Sequence, residues 1–251
     1  MNGVRPGLGA IDPSGNIVPL DARGGTLNRL LQVQTSPLFD GRYQSAQFSF
    51  VRRMANRWSG RVAYTLQESK YVGSSATGGA ANPDARRVWL DHDPRADYGR
   101  FVSDRTHVLA MSGTVNPWST FNIAAVVSAI SGAPVNEIIG RDANNDLDTN
   151  DRPIRGIDDL VFPIRSEVDS QGRAVINGLE GPGSLLVDVS FRYQIPISSR
   201  LESIDLFYDI FNILNRENLV NPTGNRASAN FMISTAAQFP RQMQFGIRAR
   251  F

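Results

Sequence analysis

Cysteine is absent from the 251 residues, which excludes a disulfide framework and any thiolate metal site. Lysine is nearly absent too: Lys70 is the one copy, and the formal net charge is +2. A nucleic-acid patch needs a large clustered excess of positive charge, so nucleic acid is not an expected partner. No run approaches the roughly 20 apolar residues of a membrane helix, and helical periodicity hardly appears. The only histidines are His92 and His107. There is no Gly-x-Ser-x-Gly elbow, no His-Glu-x-x-His pair and no phosphate loop, so an enzyme is not expected. Residues 1–25 lack the basic head and apolar core of an export signal and carry Gly, Pro and Asp instead. For an exported protein, that predicts a reading frame beginning upstream of Met1.

What the chain does have is alternation with period two, the pattern of strands with two unlike faces. In 241–251, Met243, Phe245, Ile247, Ala249 and Phe251 alternate with Gln242, Gln244, Gly246, Arg248 and Arg250. In 184–195, Leu185, Val187, Val189, Phe191, Tyr193 and Ile195 oppose Asp188, Ser190, Arg192 and Gln194. In 201–213, Ile204, Leu206, Tyr208 and Ile210 oppose Ser203, Asp205 and Asp209, with Phe207 and Phe211 interrupting the polar side. Weaker alternation at 26–35, 42–52, 58–68, 104–116 and 119–130 completes about eight strands of roughly 10 residues. At about 3.3 Å per residue and a tilt near 45°, each crosses about 25 Å, the height of the apolar band of an outer-membrane barrel.

The predicted connections alternate in length. Short turns fall around 54–57, 116–118 and 196–200, and long loops around 69–103, 131–183 and 214–240. Compact soluble domains seldom carry such loops; membrane barrels place short turns on the periplasmic side and long loops outside. Counting back from Phe251 puts all three long loops on the extracellular side. Trp58, Trp118 and Tyr193 sit beside the short turns, where an interfacial aromatic girdle belongs. Arg61, Arg192, Arg248 and Arg250, with Asp188, Asp205 and Asp209, fall on the polar faces, which suit a watery lumen.

One loop is chemically suggestive. Asp142, Asn144, Asp146 and Asp148, with Asp151 beyond them, space oxygen ligands as in the first half of a calcium loop. Such a loop also wants Gly at its sixth position and Glu at its twelfth, where this chain has Leu147 and Pro153. The alternative is a solvated loop rich in turn-forming Asp and Asn. No other cofactor is indicated. Arg86, Arg87, Val88 and Trp89 read as a solvated charged stretch, or as a contact for an anionic or sugar ligand.

Four ordered segments resemble TonB-dependent outer-membrane receptors of the Oar-like group. The segment Ser103-Asp104-Arg105-Thr106-His107 is similar to a strand opening of that group. Ser131-Gly132-Ala133-Pro134, then Gly140-Arg141-Asp142-Ala143-Asn144-Asn145-Asp146 and Asn150-Asp151-Arg152-Pro153, resemble its long acidic loop. The run Phe211-Asn212-Ile213-Leu214-Asn215-Arg216-Glu217-Asn218 looks like its penultimate strand, and Pro240-Arg241-Gln242 through Phe251 its last. The resemblance implies an all-β, antiparallel transmembrane barrel in a Gram-negative outer membrane. Residues 26–251 would supply about eight C-terminal strands of a barrel of about 22, with 1–25 the remnant of an extracellular loop. It also implies uptake of a bulky nutrient, with a plug and TonB engaged through an N-terminal part lying outside this chain, so that the chain alone would not transport. Outer-membrane lipid is the implied surroundings, and the strand ending at Phe251 resembles the signal read by the outer-membrane assembly machinery. Two other readings stand beside this one: a small self-closed barrel of eight strands, and a soluble or cell-surface β-rich binding or adhesion module, with calcium as its stabilising ion.

Overall fold

A computed structural model describes residues 10–11, 17–18, 40–72, 94–143, 149–197 and 202–250. Within these, β1 (Ala10–Ile11) and β2 (Ile17–Val18) form a small antiparallel pair of their own. The main sheet comprises β3 (Gly41–Ala55), β4 (Trp58–Val72), β5 (Tyr98–Arg100), β6 (His107–Trp118), β7 (Phe121–Ile130), β10 (Ser184–Pro196), β11 (Ser203–Phe211) and β14 (Gln242–Arg250). Two short ribbons lie in the loops, β8 (Pro134–Val135) with β9 (Leu179–Glu180) and β12 (Leu219–Pro222) with β13 (Ser234–Ala237).

The main sheet is antiparallel throughout, in the order β14-β11-β10-β7-β6-β4-β3, with β5 pairing the far end of β4. Each long strand pairs with its nearest long neighbours along the chain, the meander expected of an up-and-down barrel. The sheet is open. Among the described residues, β3 and β14 form its two edges and do not pair with each other.

All seven predicted strands after 26–35 appear within a few residues of their expected bounds. The strand expected at 26–35 lies outside the described residues. One turn differs: β6 runs on through Pro117 to Trp118, and the turn is Ser119–Thr120 rather than 116–118. A bulge between Val115 and Trp118 makes this possible, because a bulge leaves a residue out of the ladder and tolerates a proline lacking its donor.

The β3–β4 turn is Asn56–Arg57, with φ of 51° and 70°. Two positive φ values define the hairpin turn whose twist matches its strands. Arg57 is an unusual occupant, since β-carbon sterics disfavour that region. Its side chain is tied down: Nη1 donates to the Pro117 carbonyl at 2.6 Å, and the Asn116 N–H donates to the Arg57 carbonyl at 2.7 Å. The first two short turns are thereby bonded to each other.

Candidate functional site: a two-faced sheet and its loop cap

Directly opposed residues of an antiparallel pair share a face, so the register assigns every side chain. One row runs Phe50, Val62, Met111, Val127, Val187 across five strands, and another runs Ile123, Phe191, Tyr208, Phe245 across four. From Phe48 to Ala249 this face is almost wholly apolar. It is also bare: Phe48 is 66% exposed, Phe245 64% and Ile247 64%. Contiguous exposed apolar surface on this scale is not kept in water. Rings line it up, with Phe121–Phe191 and Phe191–Tyr208 centroids each 6.5 Å apart and Trp118–Phe121 at 5.8 Å. Trp58, Trp118 and Tyr193 fall at the short-turn end, as expected of a girdle.

The opposite face carries Ser49, Arg61, Thr65, Ser112, Thr114, Asn122, Ser190, Arg192, Gln194, Asp205, Asp209, Gln244, Arg248 and Arg250. Its middle also holds Ala63, Ala110, Ala124 and Val126, small apolar residues that weaken the alternation in β4, β6 and β7. Phe207 and Phe211 lie here as well, and Phe207 covers Gly246: a β-carbon on Gly246 would come within 2.1 Å of the ring. The carboxylates are engaged. Arg250 Nη2 lies 2.7 Å from Asp205 Oδ2, the Asn212 N–H donates to Asp188 Oδ1 at 2.8 Å, and the Ser190 hydroxyl donates to Asp209. Among the described residues, no ion pair joins Arg61, Arg192 or Arg248 to a carboxylate. Arg192 and Arg248 border a depression of about 280 Å³ near the short turns.

The buried core lies elsewhere. Val72, Ala96, Val135, Ile138, Ala174, Ile176 and Leu179 are the buried apolar residues among those described, and all sit in the long loops or at their roots. They hold the three long connections together as a cap. Arg152, 1% exposed, donates from Nη2 to Asp97 Oδ1 at 2.8 Å and to the Ala96 carbonyl at 2.6 Å, joining the second long loop to the first. Burial pushes this guanidinium below its ordinary value, and Asp97 opposes that. Glu137, fully buried, accepts from the Ser166 N–H at 2.7 Å and faces Arg226 Nε at 3.5 Å, joining the second loop to the third. The Ile138 N–H donates to the Gly224 carbonyl at 3.0 Å and the Arg226 N–H returns to Ile138 at 2.9 Å. None of Asp97, Glu137 or Arg226 stood out in the sequence, since loop charges are ordinarily solvated.

Three of the four segments that carry the resemblance fall at knots of this architecture, and the fourth is the exposed edge strand β14. Asp104 is 2% exposed and bridges the break between β5 and β6, accepting from the Ser69 N–H and from Arg100 Nε at 3.1 Å each. Gly132 packs so closely on Gly181 that a β-carbon would meet its carbonyl at 1.9 Å. Asn212, at φ 50°, ends β11 and ties back to Arg216 and Phe239 through its side chain. Asn218 pairs with the Leu185 N–H and carbonyl, mimicking a further rung of ladder on β10. Asp151 is buried and accepts from the Ala143 N–H at 2.7 Å. Of the other residues of the calcium pattern, Asp142 is half-buried, while Asn144, Asp146 and Asp148 lie outside the described residues, as does the 86–89 stretch.

Residues 31–244 match the family described as the outer membrane beta barrel domain. The chain belongs to this family. Membership explains the bare apolar face: in an outer-membrane barrel it meets lipid, and the polar face lines the lumen. No curated protein and no solved structure matches the chain.

Proposed function

We propose that this domain is a stretch of barrel wall in a TonB-dependent receptor, the outer-membrane transporter for a bulky nutrient such as a siderophore, oligosaccharide or peptide. The observation that carries the reading is the position of the four receptor-like segments. Three of them, 103–107, the acidic-loop pieces and 211–218, hold joints that fasten long loops to strand ends, and the fourth forms the edge strand β14. The short turns then face the periplasm and the cap faces outward. The open edges at β3 and β14 fit a wall continued by further strands, because backbone groups left unpaired in lipid cost several kcal/mol each (~). The lumen guanidiniums Arg61, Arg192 and Arg248 fit the same picture as contacts for a plug, and 1–25 belongs with the outer loops. The strand β14 and Phe251 would be read by the outer-membrane assembly machinery. In this reading the acidic loop around Asp142 and Asp151 serves the cap rather than catalysis.

The test is nutrient-dependent growth of cells carrying the gene, with and without a functional TonB. Growth that needs both the gene and TonB supports the receptor. Uptake that persists without TonB points to a passive barrel. Within a receptor, Arg192→Glu is expected to weaken plug retention; unchanged barrel–plug association would remove that role.

A further inference from the structure

The apolar face carries a groove of about 350 Å³. Its floor is the row Gly60, Gly113, Ala125, three small residues opposed in register on β4, β6 and β7. Its walls are bulky: Phe50, Trp58, Val62, Met111, Val115, Ile123 and Val127.

A cation stands at the rim. Arg52 opposes Gly60 in the ladder, so it shares the lipid face, and it is a few residues from the Asn56–Arg57 turn. Its guanidinium lies 4.0 Å from the centroid of the Trp58 ring, which borders the groove. It makes one long hydrogen bond, Nη2 to the Ala55 carbonyl at 3.4 Å, and its Nε has no partner. Among the described residues, no carboxylate pairs with it. An arginine facing hydrocarbon is costly unless its head reaches the interface, and an anion at that level would complete it with a forked pair of hydrogen bonds.

We propose that this groove and Arg52 form a binding site for one phospholipid with an anionic headgroup, in the leaflet at the short-turn end. An acyl chain fills the groove over Gly60, Gly113 and Ala125, and the phosphate rests on Arg52. Charge complementarity selects the headgroup; continuity with the membrane face selects a lipid over a soluble apolar ligand. The proposal rests on the membrane reading of the apolar face, not on the transport role.

The test is native mass spectrometry of the full protein released from lipid nanodiscs containing phosphatidylglycerol and phosphatidylethanolamine. The wild type is expected to retain phosphatidylglycerol preferentially. R52Q is expected to reduce that preference about fivefold, the weight of one arginine at an anionic surface. A125L, which fills the groove with apolar bulk and suits a lipid-facing position, is expected to lose retention of either lipid. Inorganic phosphate in excess is expected not to displace the lipid; displacement would reassign Arg52 to free phosphate and overturn the lipid site. Equal retention by wild type, R52Q and A125L overturns the proposal while the membrane reading stands. Failure of the wild type to enter nanodiscs overturns both.

Discussion

Arg152 and Asp97 show what single residues do in the cap. Both are almost completely buried, and removing Asp97 takes from the buried Arg152 the opposite charge that lies 2.8 Å away. Asp97→Ala is therefore expected to cost about 3–5 kcal/mol of cap stability. The check is hydrogen exchange: protection should fall in 134–138 and 174–179 and remain in the long strands. Uniform loss along the chain would mean that the cap and sheet unfold together. Asp169 offers a pH test. Burial pulls its carboxyl upward, but the Arg173 N–H, the Arg173 side chain and the Gln171 N–H outweigh it and hold the group below its ordinary value. A depressed carboxylate contributes stability that is fully present above the unfolded value and lost as pH falls through the folded one. Local protection around 169–173 is thus expected to fade below the usual carboxylate range, about pH 4. In Asp169→Asn the same segment should show no such acid step.

At the scale of the strand, two neighbouring valines separate the faces. Val126 opposes Asp188 on the polar side, whereas Val127 opposes Val187 on the apolar side. Val127→Arg is expected to destabilise the inserted protein by about 2–4 kcal/mol, the cost of arginine toward mid-bilayer. Val126→Arg, of identical chemistry one residue away, is expected to cost little. Urea unfolding in lipid vesicles measures both; equal losses would mean that β7 does not divide lipid from lumen. The turns follow their own local rule. Arg57 at φ 70° trades backbone strain for its 2.6 Å bond to Pro117. Arg57→Gly relieves the first and loses the second, about 1 kcal/mol each way, so little net change is expected, with the β3–β4 turn no longer tied to the β6–β7 turn.

For the whole molecule, insertion turns on the pairing of β3 and β14. Lipid offers no hydrogen bonds, so the outer edges of both strands must find partners on insertion. In vesicles, amides along the outer edge of β14 are expected to exchange as slowly as those of β10. Rapid exchange confined to the two edges would mean an open sheet, lying outside the bilayer core. The apolar face would then need another cover.

The strand pattern was legible because a sheet with lipid on one side and water on the other writes its two faces into alternate residues. Met243, Phe245 and Ile247 declared their face without any knowledge of their neighbours, and so did Leu185 through Ile195. In β4, β6 and β7 the signal was weaker because the lumen side accepts Ala63, Ala110 and Val126 as readily as serine, there being no tight core to exclude them. The turn expected at 116–118 lies at Ser119–Thr120 for a related reason: a proline reads as a turn, and only the pairing of Trp118 with Phe121 carries the strand past it. Turn and loop lengths also followed from sequence, since strands must cross a fixed thickness. Tertiary structure alone decided the rest. Which loop charges are buried depends on contacts between segments far apart in the chain, such as Asp97 with Arg152 and Glu137 with Arg226. The groove over Gly60, Gly113 and Ala125 exists only when three strands align in register, and Arg52 becomes its rim only because that register places it opposite Gly60.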